Sequence, residues 1–473
     1  MTQTLKIAQS SVSYEDPHDC TDAGDILSIF GAIFDTLVKR EGAGFVPHLA
    51  QSWTVSDEGR VWKFVLQPDV MFHDGNHVDA AAVCANLHRL SQPEKGYTLG
   101  SPGVWHQYLG GADFKVLSPL TFEIALHAPV SDLLDILVQA FILSPACFDA
   151  ELLGRTIGSG PYIIEDITET RIRARANSAH FKGPVHNTVI EWHACPDTAV
   201  RLDGLVQGDV HVANRLPGGA PIKDVTRIKY VAPVAIIYLF NITVGPLANS
   251  DLRRALNLAV NRDALIANVV GGDAVPLTGF VSSAHFGFAE DVDATFAPDQ
   301  ARDLLKKAGY KDGLTLSVSC PTRLPDEAQA LTASLAAQLE RIGVTLDVRT
   351  HEDREAYAHM VRKKQIGDMA VFDSSPLSTF RVIYEKLDAR VSGAWWQGYD
   401  NVTVQNILDA ARRTPDNTAR AHLYQQAYRE IAHDPPWLFL YNPIRHIGIR
   451  GDHPNFAMPQ DGVLDVTRLP PLT

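Results

Sequence analysis

The run from Trp53 to Leu90 limits most what this chain can fold into, because three local signals follow one another within it. Trp53 and Val55 alternate with polar neighbours, Asp57-Glu58-Gly59 supplies turn chemistry, and Trp62, Phe64 and Leu66 share one face of the next extended segment. That order predicts a β-hairpin. Beyond Pro68, the turn-forming His73-Asp74-Gly75-Asn76 leads into Val83, Leu87 and Leu90 at the i, i+4, i+7 spacing of one helical stripe, so a helix is expected to follow.

The same alternation of periods recurs along the chain. Ile157-Gly158-Ser159-Gly160 is read as a glycine turn ahead of an alternating strand with Tyr162 and Ile164, and 171–176 is its hairpin partner. Residues 199–213 read as a helix stopped by Gly208 and returning to a short strand. In 249–272 Ser250 is the expected N-cap, Leu252, Leu256 and Ala259 form the stripe, and Gly271 ends the element. Ala301, Leu304, Leu305 and Ala308 predict a helix that stops at Gly309, and Glu327–Ile342 predicts another that passes through Gly343 into a strand with Val344, Leu346 and Val348. Helices alternating with strands point to a mixed α/β architecture. The Pro/Gly-rich run 214–221 is the candidate connection between units.

With 473 residues the chain has room for roughly three compact units at about 150 residues each. A formal charge of −13 argues against a nucleic-acid partner, which needs basic patches to displace counterions. No segment approaches the ~20 uninterrupted apolar residues of a membrane span. Cys20, Cys84, Cys147, Cys195 and Cys320 are odd in number, far apart and without a C-x-x-C pair, so buried free thiols are expected rather than disulfides or a zinc site. The N-terminus opens on Met1-Thr2-Gln3, with Leu5 and Ile7 alternating like a first strand and no export signal visible ahead of it.

The Trp53–Leu90 run resembles the signature region of the family 5 extracytoplasmic solute-binding proteins, the oligopeptide, dipeptide, nickel and opine receptors of ABC importers. Residues 157–165, 199–213, 239–272 and 297–310 are similar to further family segments in the family's order. The resemblance implies a two-lobed α/β fold of the periplasmic binding protein type II kind (cluster C), with an extra subdomain in the first lobe. The first lobe is then expected in 1–45, 157–232 and 440–473, the extra subdomain in 46–156 and the second lobe in 233–439. Chain crossings are expected near Lys229–Leu239 and Pro435–Tyr441, where apolar, β-branched and aromatic residues suit extended chain. It further implies a periplasmic monomer, without cofactor, that closes on a small polar solute and delivers it to an inner-membrane permease. The favoured solute is a short peptide or an amino-acid or opine-like conjugate; nickel or a metal chelate is the alternative.

No phosphate loop, H-E-x-x-H helix or G-x-S-x-G elbow is present, and Gly158-Ser159-Gly160 precedes a strand where a dinucleotide fingerprint needs a helix. The eighteen histidines are scattered: neither His73 with His77 nor His180 with His186 has helical ligand spacing with a third partner. In nickel receptors an arginine of the subdomain clamps the ligand carboxylate, and the comparable 137–146 has none.

The resemblance places the ligand contacts in 368–381 and 394–401. Asp373 is the candidate partner of a ligand ammonium, or else caps the following turn; Ser374 and Ser375 lie in the same polar turn. Arg381 is a candidate carboxylate ligand, against an exposed helix arginine. Trp395 and Trp396, taken as extended chain, point to opposite faces, so one can pack inward while the other lines the cleft near Tyr399. Trp105 is either an aromatic wall or a residue packed under the subdomain, and His446 belongs to the last return through the first lobe. The alternatives outside this class are a hydrolase using Asp373 and Asp400 as acid and base, and a solute-loaded partner of a membrane sensor.

Overall fold

A computed structural model of the chain describes residues 4–19, 22–42, 44–95, 105–148, 157–323 and 325–472. The chain divides into two compact units, Met1–Tyr230 with Arg445–Thr473, and Val231–Ile444. The strand Trp437–Arg450 starts in the second unit and ends in the first. The run 214–221, expected to connect units, instead lies inside the first, and its opening residues belong to the strand Val212–Leu216.

In the first unit Thr4–Gln9 runs parallel to Val189–Ala194 on one side and to Val212–Leu216 on the other. Arg171–Ala176 and Tyr162–Ile167 extend this sheet antiparallel. The expected hairpin forms separately: Ala50–Ser56 pairs with Val61–Leu66, setting Trp53 opposite Phe64 and Val55 opposite Trp62, in a four-stranded antiparallel sheet. Its inward face carries Trp62, Phe64 and Leu66, at most 3% exposed. The helix Ala80–Leu90 buries Val83, Leu87 and Leu90 as its spacing requires. It starts where the Asp79 carboxylate accepts the Ala82 N–H at 2.8 Å. Losing that cap in Asp79→Ala is expected to cost about 1 kcal/mol in a urea titration, since one orphan helix N–H is left to water.

Gly158-Ser159-Gly160 is neither helix nor a left-handed turn. It lies against the end of helix Gly24–Ile33, where a Cβ at Gly158 would stand 2.0 Å from the Ile33 carbonyl oxygen. These glycines are there for close backbone approach, and Gly160 N–H donates to that carbonyl at 3.0 Å.

The second unit is a mixed sheet. Leu314–Pro321 is parallel to both Val344–His351 and Met369–Ser374; the latter pairs antiparallel with Ala235–Phe240, which pairs with Trp437–Tyr441. Ala235–Phe240 is buried at every position, as a strand covered on both faces must be. Gly309 and Gly343 end their helices with φ of 94° and 84°. The single helix expected in 249–272 is two, Ser250–Ala259 and Arg262–Val270. Asn249, not Ser250, caps the first by accepting the Asp251 N–H, and Asn261 caps the second.

Of the described cysteines, Cys84, Cys147 and Cys320 are buried free thiols, whereas Cys195 is half-buried; Cys20 lies outside the described residues. No helix among the described residues is long and apolar enough to cross a membrane.

Candidate functional site

In the first unit Trp105 is 2% exposed, and its indole N–H donates to the His18 carbonyl at 3.1 Å. His18 is fully buried between the Phe141 carbonyl, 2.9 Å from Nε2, and Arg89, 2.8 Å from Nδ1. Because a guanidinium only donates, Nδ1 must accept and Nε2 carries the proton. Burial pushes the His18 pKa down to about 4, and the Arg89 charge lowers it further than the nearby Asp16 raises it. Arg89 also forks onto Asp16 at 3.0 and 2.5 Å, and Lys95 joins it at 2.7 Å. His446 is half-buried in its strand opposite Leu216.

A second buried network joins distant segments of this unit. One Asp35 carboxylate oxygen accepts from His48 at 2.6 Å, the other from the Ser159 hydroxyl at 2.8 Å, and His180 Nε2 stands 3.5 Å from the first. Burial would raise the Asp35 pKa; the two imidazoles outweigh it and hold the carboxyl well below the usual carboxylate range. Burial in turn keeps His48 below the ordinary histidine value, so it donates as a neutral imidazole. His73 Nε2 lies 2.9 Å from the Gly160 carbonyl, while His77 and His186 are exposed. Among the described residues no group of three or more His, Cys, Asp or Glu is placed to hold a metal ion.

The second unit holds the remaining candidates. Met369–Ser374 brings Asp373 opposite Ile236, half-buried, and ends at Ser374, whose hydroxyl accepts from the buried Lys386 ammonium at 3.0 Å. Ser375 is half-buried; the following helix, Thr379–Lys386, is capped by Ser378, which accepts the Arg381 N–H. Arg381 is a helix residue but not an exposed one: it is 6% exposed and its Nε donates to Glu385 at 2.9 Å, one helical turn on. Asp400 is exposed and accepts from Gln405 at 2.8 Å.

The segment carrying both tryptophans is not extended, as had been expected, but turns, with the Trp396 N–H donating to the Gly393 carbonyl at 3.1 Å. Trp395 is buried against Phe372, ring centroids 4.6 Å apart. Trp396 is half-buried and its indole N–H donates to the Tyr399 carbonyl at 2.6 Å. Gly398 has φ 98° and sits so close to Thr243 that a Cβ would lie 2.6 Å from its backbone nitrogen. Only glycine fits there. Tyr399 is buried, and burial with the Asp434 and Glu430 charges keeps its hydroxyl neutral.

Lys386, Lys364 and His18 carried no signal in the sequence. Each acquires its partners from segments brought together only by folding, and a single lysine or histidine outside any periodic pattern is not distinguishable from a surface residue.

The fold is that of a two-unit α/β protein. The family model of the bacterial extracellular solute-binding proteins, family 5, matches residues 44–385. The chain is 28% identical over 454 aligned residues to the glutathione-binding protein GsiB of Salmonella paratyphi A, covering 89% of this chain and 85% of that protein. It shares its fold with the oligopeptide-binding protein AppA from Bacillus subtilis in complex with a nonapeptide (TM-score 0.78, 18% identity, 98% of each chain covered). NikZ from Campylobacter jejuni in complex with Ni(L-His) is likewise similar in fold (TM-score 0.77, 20% identity, 95% of this chain and 94% of that one). The chain belongs to the bacterial extracellular solute-binding proteins of family 5, and is therefore a substrate-binding protein of ABC import.

Proposed function

We propose that this protein captures a short peptide or peptide-like amino-acid conjugate, releases it unreacted to a membrane ABC permease, and works in the periplasm as a monomer without a cofactor. Glutathione is the first ligand to test. The observation that carries this reading is the similarity, along nearly the whole chain, to a glutathione-binding protein. The chemistry is compatible: glutathione offers one ammonium and two carboxylates on a short, flexible backbone. Asp373 suits the ammonium, because a desolvated charge needs a charged hydrogen-bonding partner, whereas Arg381 is buried and already held by Glu385. Ser375 adds a polar contact, and the half-buried Trp396 supplies ring surface.

Glutathione at 100 times its Kd is expected to stabilise the protein by about 2.7 kcal/mol, visible as a rise in melting temperature that follows ln(1 + [L]/Kd). Asp373→Ala is expected to weaken binding roughly 10- to 100-fold, measured by titration calorimetry, through loss of a charge-assisted hydrogen bond worth about 1.5–3 kcal/mol. Stabilisation by nickel–histidine alone would transfer the reading to a metal chelate. Cleavage products in a mass spectrum after incubation with peptides would replace it with the hydrolase that uses Asp373 and Asp400.

A further inference from the structure

Lys364 is a half-buried cation that contacts two carbonyls and a ring. It follows the helix Arg354–Arg362 and turns the chain out of it with φ 58°. Its ammonium donates to the Gly393 carbonyl at 2.7 Å and the Ala394 carbonyl at 2.8 Å, and lies 6.0 Å from the centroid of the Trp396 ring. The Gly393 carbonyl thus receives both Lys364 and the Trp396 N–H, so the ammonium closes the turn on which Trp395 and Trp396 sit.

The rest of that loop is held by uncharged contacts. A Cβ at Gly393 would be 2.0 Å from the Glu385 carbonyl oxygen, Gln397 donates to the Val361 carbonyl at 2.8 Å, and Ile242 N–H donates to the Gln397 carbonyl at 2.8 Å. Charged groups on the neighbouring elements are engaged elsewhere: Arg362 with His359, Glu385 with Arg381, and Asp388 with Arg390. Lys364 is therefore the charged tie between the end of one helix and the tryptophan turn. A protonated amine donates to both carbonyls at once, with a charge-assisted hydrogen bond to each, while a neutral amine donates more weakly and loses its attraction to the indole face.

We propose that Lys364 is the positioning residue of the Trp395–Trp396 turn, and that its positive charge is what keeps both rings seated for a ligand. Burial pushes its pKa down to about 8. The seated turn is thus expected below that pH and a loosened one above it. The consequence for binding rests on the reading that the Trp396 ring touches the solute; the seating itself does not.

The experiment separates the two. Tryptophan emission of the ligand-free protein is followed from pH 6.5 to 9.5, with the same scan of Trp396→Phe subtracted to isolate Trp396. Wild type is expected to show a transition near pH 8. Lys364→Met, neutral throughout, is expected to show the alkaline spectrum already at pH 7, and Lys364→Arg, charged throughout, the neutral spectrum up to pH 9.5. Glutathione affinity at pH 7 is expected to fall about tenfold in Lys364→Met and to be largely retained in Lys364→Arg. A wild-type scan without a transition, or a Lys364→Met spectrum equal to wild type at pH 7, overturns the proposal. If wild type fails to bind glutathione while the emission scans behave as described, the ligand assignment fails and the positioning role stands.

Discussion

Replacing Asp35 by alanine is expected to destabilise the first unit by about 2–5 kcal/mol, the cost of leaving the buried His48 and Ser159 donors without their acceptor and of the cavity that opens beside them. The loss is large because Asp35 is 1% exposed and its oxygens accept from both His48 and Ser159, with His180 Nε2 a further 3.5 Å from one of them. Truncation leaves donors from separate stretches of chain facing an apolar void that their own backbones cannot satisfy. Asp35→Asn keeps the shape and one acceptor oxygen, so its loss is expected to be smaller. Because the folded pKa of Asp35 is depressed, its contribution is fully present above the unfolded value near 4 and is lost only as pH falls towards the folded one. The difference between Asp35→Ala and wild type should therefore be constant from pH 5 to 8. Urea titrations of both proteins across that range are the measurement, and a difference below about 1 kcal/mol contradicts the network's role.

Acidification within the range from about 6.5 to 4 is expected to remove a further ~3 kcal/mol through His18 alone. Its folded pKa is about 4 against an ordinary 6.5, so in this interval the unfolded chain binds a proton that the folded chain refuses. Each pH unit then costs about 1.4 kcal/mol, and stability rises with pH up to about 6.5 and flattens above it. The physical cause is specific: protonating Nδ1 would set an N–H against the Arg89 guanidinium inside a buried site. His48, His73 and His211, also lowered by burial, add to the same slope. In His18→Gln, which retains an acceptor and a donor without titrating, the slope between pH 6 and 4.5 is expected to fall by about 1.4 kcal/mol per pH unit. An unchanged slope assigns the acid sensitivity to the other histidines.

How far the sequence reaches is clearest in 249–272. The apolar stripe Leu252, Leu256, Ala259 buries as its spacing requires, yet the helix breaks at Val260-Asn261. The break is stabilised by Gln338, whose side chain accepts the Asn261 N–H at 2.7 Å from a helix far along the chain. The caps are Asn249 and Asn261, where the sequence reading has Ser250 and one continuous element. The tryptophan pair shows the same limit. Alternation placed the two rings on opposite faces of a strand, whereas the Lys364 ammonium and the close approach of Gly393 to Glu385 impose a turn.

From the amino-acid sequence alone come the elements whose signals are local. These are the 50–66 hairpin with its alternating face, the helix carrying Val83, Leu87 and Leu90, and the helix stops at Gly208, Gly309 and Gly343, where a left-handed residue is needed within one turn. Side-chain period and backbone conformation are properties of neighbouring residues, so a short window contains them. Only the tertiary structure decides which polar groups meet. Asp35 finds Ser159 across 124 positions, His18 finds Phe141 across 123, and Lys364 finds a carbonyl 29 residues on. Buried charges are tolerated only where such partners converge, and no pattern confined to one segment records where the chain will bring them together.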